Sequence, residues 1–173
     1  MKTLPVLTLL SAAIIAAGCA GYGSRPSAEA VMQPTQGNTT NGTVIFSQSG
    51  DKVKVAARIT GLSPGLHGFH IHEKGDCSAP DGMSTGGHFN PDGKKHGAPG
   101  HNEHHAGDFG NLSPDSNGTA VLTLTTSQIS LDPNASNSII GKGLIVHADP
   151  DDFTTQPTGN SGKRLSCGVI RLK

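Results

Sequence analysis

Histidine is the residue type in this chain that can do chemistry, and it is concentrated. Eight of the nine histidines fall between His67 and His105, and the ninth is His147. They are ordered as well as dense: His70-Ile71-His72, Gly87-His88-Phe89-Asn90-Pro91, His96, His105-Ala106-Gly107-Asp108 and Val146-His147. Imidazole is the commonest biological ligand for borderline metals such as copper and zinc. Three imidazoles and a carboxylate (His88, His96, His105 and Asp108) make a closed tetrahedral set suited to zinc, with no position left for substrate. Nitrogen-rich, roughly planar coordination by His70, His72, His88 and His147 suits Cu(II). His88 belongs to both sets because one imidazolate can bridge two ions through its two nitrogens. A lone His-x-His is more often a surface pair than a site, but here at least four further candidate ligands join it.

These side chains need a rigid frame. If residues 66–72 form a strand, His70 and His72 face one side while Phe69 and Ile71 face the core. Residues 53–59 and 119–125 are β-branched and partly alternating, and 43–47, 143–147 and 168–172 are further short strand candidates. No long segment has helical periodicity, and 24 glycines and 11 prolines punctuate the runs. The expected fold is all-β, a Greek-key antiparallel β-sandwich or barrel with two long functional loops. Those loops are residues 75–111, rich in Gly, Pro, His and Asp, and residues 149–162, rich in Asp, Thr, Pro and Gly. Long structureless segments inside a compact domain are usually functional, and the histidines lie in or beside both.

The first 28 residues read differently. Lys2 precedes a short apolar run, and Ala16-Ala17-Gly18-Cys19 places small residues before a cysteine. That is the pattern of an export signal over residues 1–18, too short for a typical transmembrane helix. A cysteine after Ala-Ala-Gly resembles a bacterial lipobox, in which Cys19 is acylated and becomes the mature N-terminus; the alternative is an ordinary cleaved signal with an incidental cysteine. Residues 19–28 read as a flexible tether and 29–173 as one domain. Of three cysteines, lipidation of Cys19 leaves Cys77 and Cys167, which an oxidising compartment would let pair. Closing a loop of about 90 residues is worth roughly 4–5 kcal/mol in the chain-entropy picture. Thirteen basic and thirteen acidic residues give a net charge of zero, with no aromatic-laced basic patch, so nucleic acid is excluded as a partner.

Gly68-Phe69-His70-Ile71-His72-Glu73, Gly87-His88-Phe89-Asn90-Pro91, His105-Ala106-Gly107-Asp108 and the run from Gly159-Asn160 through Arg164 to Cys167-Gly168-Val169-Ile170 together resemble the copper/zinc superoxide dismutase family, over residues 29–173. The resemblance implies one copper at His70, His72, His88 and His147, one zinc at His88, His96, His105 and Asp108, and no other cofactor. It implies that Asp151, in preference to Asp152, ties a copper-bound to a zinc-bound histidine, and that the step to Asp108 selects His105 over His104. It implies a Cys77–Cys167 disulfide, Arg164 as the cation that holds superoxide, and Thr158 lining the channel. In the implied reaction one superoxide reduces Cu(II) and leaves as dioxygen. His88 parts from copper and takes up a proton, and a second superoxide leaves as hydrogen peroxide. His67 is read as a structural hydrogen-bonding residue and His101 as a solvated one. The alternative class is a non-enzymatic periplasmic copper/zinc-binding protein on the same fold, which loss of a copper ligand or of the arginine would favour; neither is lost. A hydrolytic zinc enzyme conflicts with the saturated zinc set. The expected location is periplasmic, held at the outer membrane through Cys19, with monomer and homodimer both open.

Overall fold

A computed structural model describes residues 25–173. The expected export signal, Cys19 and the first part of the expected tether lie outside the described residues. Nine strands follow in order: β1 (Ser27–Pro34), β2 (Asn41–Ser49), β3 (Lys52–Thr60), β4 (His67–His72), β5 (Asp108–Leu112), β6 (Ala120–Thr126), β7 (Gly143–His147), β8 (Arg164–Val169) and β9 (Arg171–Leu172). The only helical element among the described residues is a 3-10 turn, Met83–Thr85. Strands neighbour one another in the order β5-β4-β7-β8-β1-β2-β3-β6, with β9 on β1. The sequence-adjacent β5 and β6 thus stand at opposite ends of the hydrogen-bonded path, flanking the seam of a nearly closed barrel. The jumps from β3 to β4 and from β6 to β7 give the Greek-key connection.

Alternation decides which face of each strand is buried. In β3, Val53, Val55, Ala57 and Ile59 point inward and Lys52, Lys54 and Arg58 outward. The inward residues meet Val44 and Phe46 of β2 and Phe69 and Ile71 of β4 in one core. Strands β4 and β7 depart from alternation, being buried at every position. One face of each packs on the core and the other lies under the two loops, so a polar residue on that face must find internal partners.

The structure corrects the sequence expectation at three places. β1 starts at Ser27, two residues before the domain boundary set at Glu29, because Ala28 pairs with Phe46 and is fully buried. Residues 108–111, assigned to the first loop, begin β5; its five residues include Asp108, Asn111 and a Gly110 at φ 82°, which hide the strand pattern. The single C-terminal strand expected over 168–172 is two, interrupted at the buried Ile170, where the chain leaves β7 and passes to β1. Cys77 and Cys167 form the disulfide, which ties the first loop to β8 across a separation of 90 residues.

Candidate metal centre

Both candidate ligand sets assemble. His70, His72, His88 and His147 each offer a ring nitrogen within 4.8 Å of the others, and His88, His96, His105 and Asp108 each offer a nitrogen or carboxylate oxygen within the same span. All seven residues are buried. The strand frame sets three of the copper-set residues: His70 and His72 share one face of β4, and His147 ends the adjacent β7. His88 is fixed by backbone. It bridges His72, while Phe89 N–H donates to Ile71 O at 2.8 Å and Gly107 N–H donates to Phe89 O at 3.0 Å. Asp108 starts β5 opposite His70 and accepts from His105 N–H at 2.9 Å, so its carboxylate also shapes the turn that carries His105.

The hydrogen bonds assign the tautomers, and the tautomers aim lone pairs at common points. His72 Nδ1–H donates to Gly86 O at 2.9 Å and His147 Nδ1–H to Gly162 O at 3.3 Å, leaving their two Nε2 atoms 3.3 Å apart with lone pairs opposed. His70 Nε2–H donates to Asp151 Oδ2 at 2.8 Å, which turns its Nδ1 to the same place. His70 Nδ1, His88 Nε2, His96 Nδ1 and His105 Nδ1 are buried without any hydrogen bond. His96 Nδ1 lies 2.9 Å from Asp108 Oδ2 but is too poorly aligned to bond it. Converging, unsatisfied lone pairs in a buried site repel one another unless a cation sits among them. The residues therefore fit two metal ions.

The electrostatics suit ligation. Burial, then the positive charge that neighbouring histidines would carry, pushes His72 and His147 well below the usual histidine range. Burial also lowers His70 despite Asp151, and lowers His88 to about 4 despite Asp108. These rings are neutral at pH 7, the form that binds metal. Burial would raise Asp108 and Asp151, but the close-set rings of His105, His88 and His96 around the first, and hydrogen bonds from His70 and His96 to the second, hold both below the usual carboxylate range. His96 is the exception. Burial opposes its charge, yet Asp108 and Asp151 on its two sides outweigh burial and hold it up to about 9, so a metal must displace a proton there.

Asp151 binds the two sets together. Its Oδ2 accepts from His70, and its Oδ1 accepts from His96 Nε2–H at 2.8 Å and Phe153 N–H at 2.8 Å. Asp152 is exposed and instead caps the turn at Thr154 and Thr155. His104 points away from Asp108, joining His105 O at 2.8 Å and Gln128 at 2.8 Å. His67 Nδ1–H donates to His147 O at 2.9 Å and its Nε2 accepts from Ser63 Oγ at 3.3 Å, holding the end of β7. His101 is exposed.

Sequence reasoning missed two supporting residues. Asn111 clamps the Asp151 backbone, accepting from its N–H at 2.8 Å and donating to its carbonyl at 2.9 Å. Gln156 does the same to His96 at 2.8 and 2.9 Å. Neither residue type announces chemistry, and the strand pairing of Asn111 with Gly68 is visible only in the structure.

Arg164 faces His147 across the β7–β8 pair. Its guanidinium donates to Gly82 O at 2.8 Å, Thr85 Oγ1 at 2.6 Å and Gly86 O at 2.8 Å. Gly86 O is also the acceptor that orients His72, so the arginine and a copper-set ring share one anchor. A cleft of about 720 Å³ opens beside Arg164, lined by Lys163, Asp81 and Met83 among others. Thr158 is half-buried in the second loop, where its carbonyl accepts from Ser161 Oγ at 3.1 Å.

A Greek-key barrel with paired nitrogen-rich and nitrogen/carboxylate sites sharing one histidine defines a class: enzymes with a redox copper beside a structural zinc. The family described as copper/zinc superoxide dismutase (SODC) matches residues 40–170. The chain is 46% identical over 151 residues to superoxide dismutase [Cu-Zn] 2 of Brassica juncea, covering 83% of this chain and 96% of that protein. A solved structure titled as a crystal structure analysis of the clock protein EA4 superposes with a TM-score of 0.77 at 41% identity, covering 87% of this chain and 97% of that chain. The protein belongs to the copper/zinc superoxide dismutase family, with a histidine-rich copper site and a His/Asp zinc site that share His88.

Proposed function

We propose that His70, His72, His88 and His147 hold copper, that His88, His96, His105 and Asp108 hold zinc, and that Arg164 holds the superoxide anion. The observation that carries this reading is the pair of four-membered sets meeting at His88, with buried lone pairs that nothing else satisfies. When bound, copper supplies one-electron exchange, so that two superoxide ions and two protons become dioxygen and hydrogen peroxide. The protein's part is positioning and proton handling. His88 Nε2 is buried and free of hydrogen bonds, the atom able to take up a proton and hand it on. Asp151 orients His70 and His96. Three of the five guanidinium N–H groups of Arg164 are engaged by the first loop, which leaves the others for the anion.

Replacing Arg164 with Gln should slow superoxide consumption about tenfold, the equivalent of one charge-assisted hydrogen bond at ~1.5 kcal/mol, and flatten its dependence on ionic strength. Stopped-flow rates over a salt series measure both. An unchanged rate and slope would remove Arg164 from the reaction.

We propose further that the protein is an exported bacterial lipoprotein with Cys19 acylated, the residues between Cys19 and Ser27 leading to the domain, and an outer-membrane, periplasmic location. The small residues before Cys19 support this, as does Ala20 after it, where Asp would favour retention at the inner membrane. A disulfide between the other two cysteines fits an oxidising compartment. A Cys19→Ser chain should fractionate as soluble protein; continued sedimentation with membranes would mean that the anchor is not lipid on Cys19.

A further inference from the structure

We infer that Gln156 is a positioning residue for zinc and the link through which zinc occupancy orders the second loop. His96 sits in residues 90–107, a segment without a strand, yet it is almost fully buried. A buried backbone must place its N–H and C=O somewhere. At His96 both go to one side chain: the N–H donates to Gln156 Oε1 at 2.8 Å, and Gln156 Nε2 donates to the carbonyl at 2.9 Å. The amide takes the place that a neighbouring strand would occupy. The ring is held from the same loop, by Asp151 Oδ1 at its Nε2. Three contacts from residues 151–156 therefore fix where the His96 Nδ1 lone pair points.

Coupling of this kind runs both ways. If the second loop holds His96 in place for zinc, zinc on His96 holds the second loop. Gln156 stands in the middle of that loop, between the Asp151 anchor and the Thr158–Arg164 run beside the copper set. Within the loop, Asp149 N–H bonds Ser161 O at 2.9 Å, Asp152 N–H bonds Gly159 O at 2.9 Å, Gly159 N–H bonds Thr155 O at 2.7 Å and Ser161 Oγ bonds Thr158 O at 3.1 Å, with side-chain caps from Asp151 and Asp152, but none of these reaches His96. Gln156 is itself exposed, so its removal opens no cavity and leaves the barrel core intact.

The test uses the full chain loaded with copper and zinc, as parent, Gln156→Ala and Gln156→Glu. The first readout is the rate of zinc release to a chelator. The second is amide hydrogen exchange over residues 152–159, with and without zinc. Gln156→Ala should release zinc about tenfold faster, as for other partners that orient a metal ligand, and should lose the extra protection that zinc confers on the loop. Gln156→Glu keeps the acceptor and loses the donor, so its release rate should fall between the two. Release within twofold of the parent in Gln156→Ala would overturn the proposal. So would faster release with zinc-dependent protection undiminished, or an equal fall in thermal stability of zinc-free and zinc-loaded protein, since a merely structural glutamine would act on both forms alike.

Discussion

A His147→Ala protein should consume superoxide at least 100-fold more slowly than the parent while still binding zinc, a loss beyond the ~10–100-fold typical of changes to groups that only orient a ligand. The separation follows from membership. His147 contributes Nε2 to the copper set and nothing to the zinc set, whose four members stay in place. The fold should survive as well. The bonds that fix this end of β7 run through backbone: His67 to His147 O, and Ala148 N–H to Lys163 O at 2.7 Å. The imidazole's own tie is a long 3.3 Å bond to Gly162 O, and its loss also relieves the 3.3 Å opposition of its Nε2 to His72 Nε2. Metal content by mass spectrometry beside stopped-flow rates decides the matter. Full activity, or zinc lost together with copper, would break the assignment of His147 to copper alone.

Gly159→Ala should weaken both metals at once. Gly159 has φ 64°, where a Cβ costs roughly 1–2 kcal/mol. The larger effect is steric, because a Cβ there would meet the Asp151 carboxylate and His96 Nε2, with Asp151 Oδ1 the nearest atom. Asp151 would have to leave its place between His70 and His96. His70 would then lose the partner that sets its tautomer, and His96 would lose the bond that aims its Nδ1. Zinc affinity should fall ~10–100-fold, and copper affinity with it. Gly141→Ala is the control, since Gly141 has φ 77° with nothing within 4 Å of an added Cβ and so carries the backbone cost alone. Chelator competition for each metal should separate the two variants by at least tenfold. Equal affinities would mean that the link tolerates displacement of Asp151.

The seven metal-set residues and the disulfide pair are legible in the sequence, because each is a residue type whose chemistry is rare and whose spacing is distinctive; a role for Arg164 comes only from the family resemblance. The supporting residues are not. Gln156 and Asn111 act by clamping backbone groups 60 and 40 positions away, and an ordinary amide in a loop or short strand carries no local mark of a distant partner. Gly159 opens a recognisable motif, but its necessity comes from a carboxylate eight residues earlier that folds back against it.

By itself, the chain's composition and order determined that the fold is all-β, that the histidines lie in or beside two long loops, and which ions these nitrogens and carboxylates suit. Hydrophobic alternation and ligand chemistry are local properties that a string of residues displays directly. Tertiary structure alone decided which nitrogen of each ring faces a metal and what the passed-over neighbours do instead, His104 turning to Gln128 and Asp152 capping a turn. Those outcomes depend on where the second hydrogen-bonding atom of each side chain finds a partner. Here the partners are Gly86 O, Gly162 O and the Asp151 carboxylate, brought to the rings only when the barrel and its loops close.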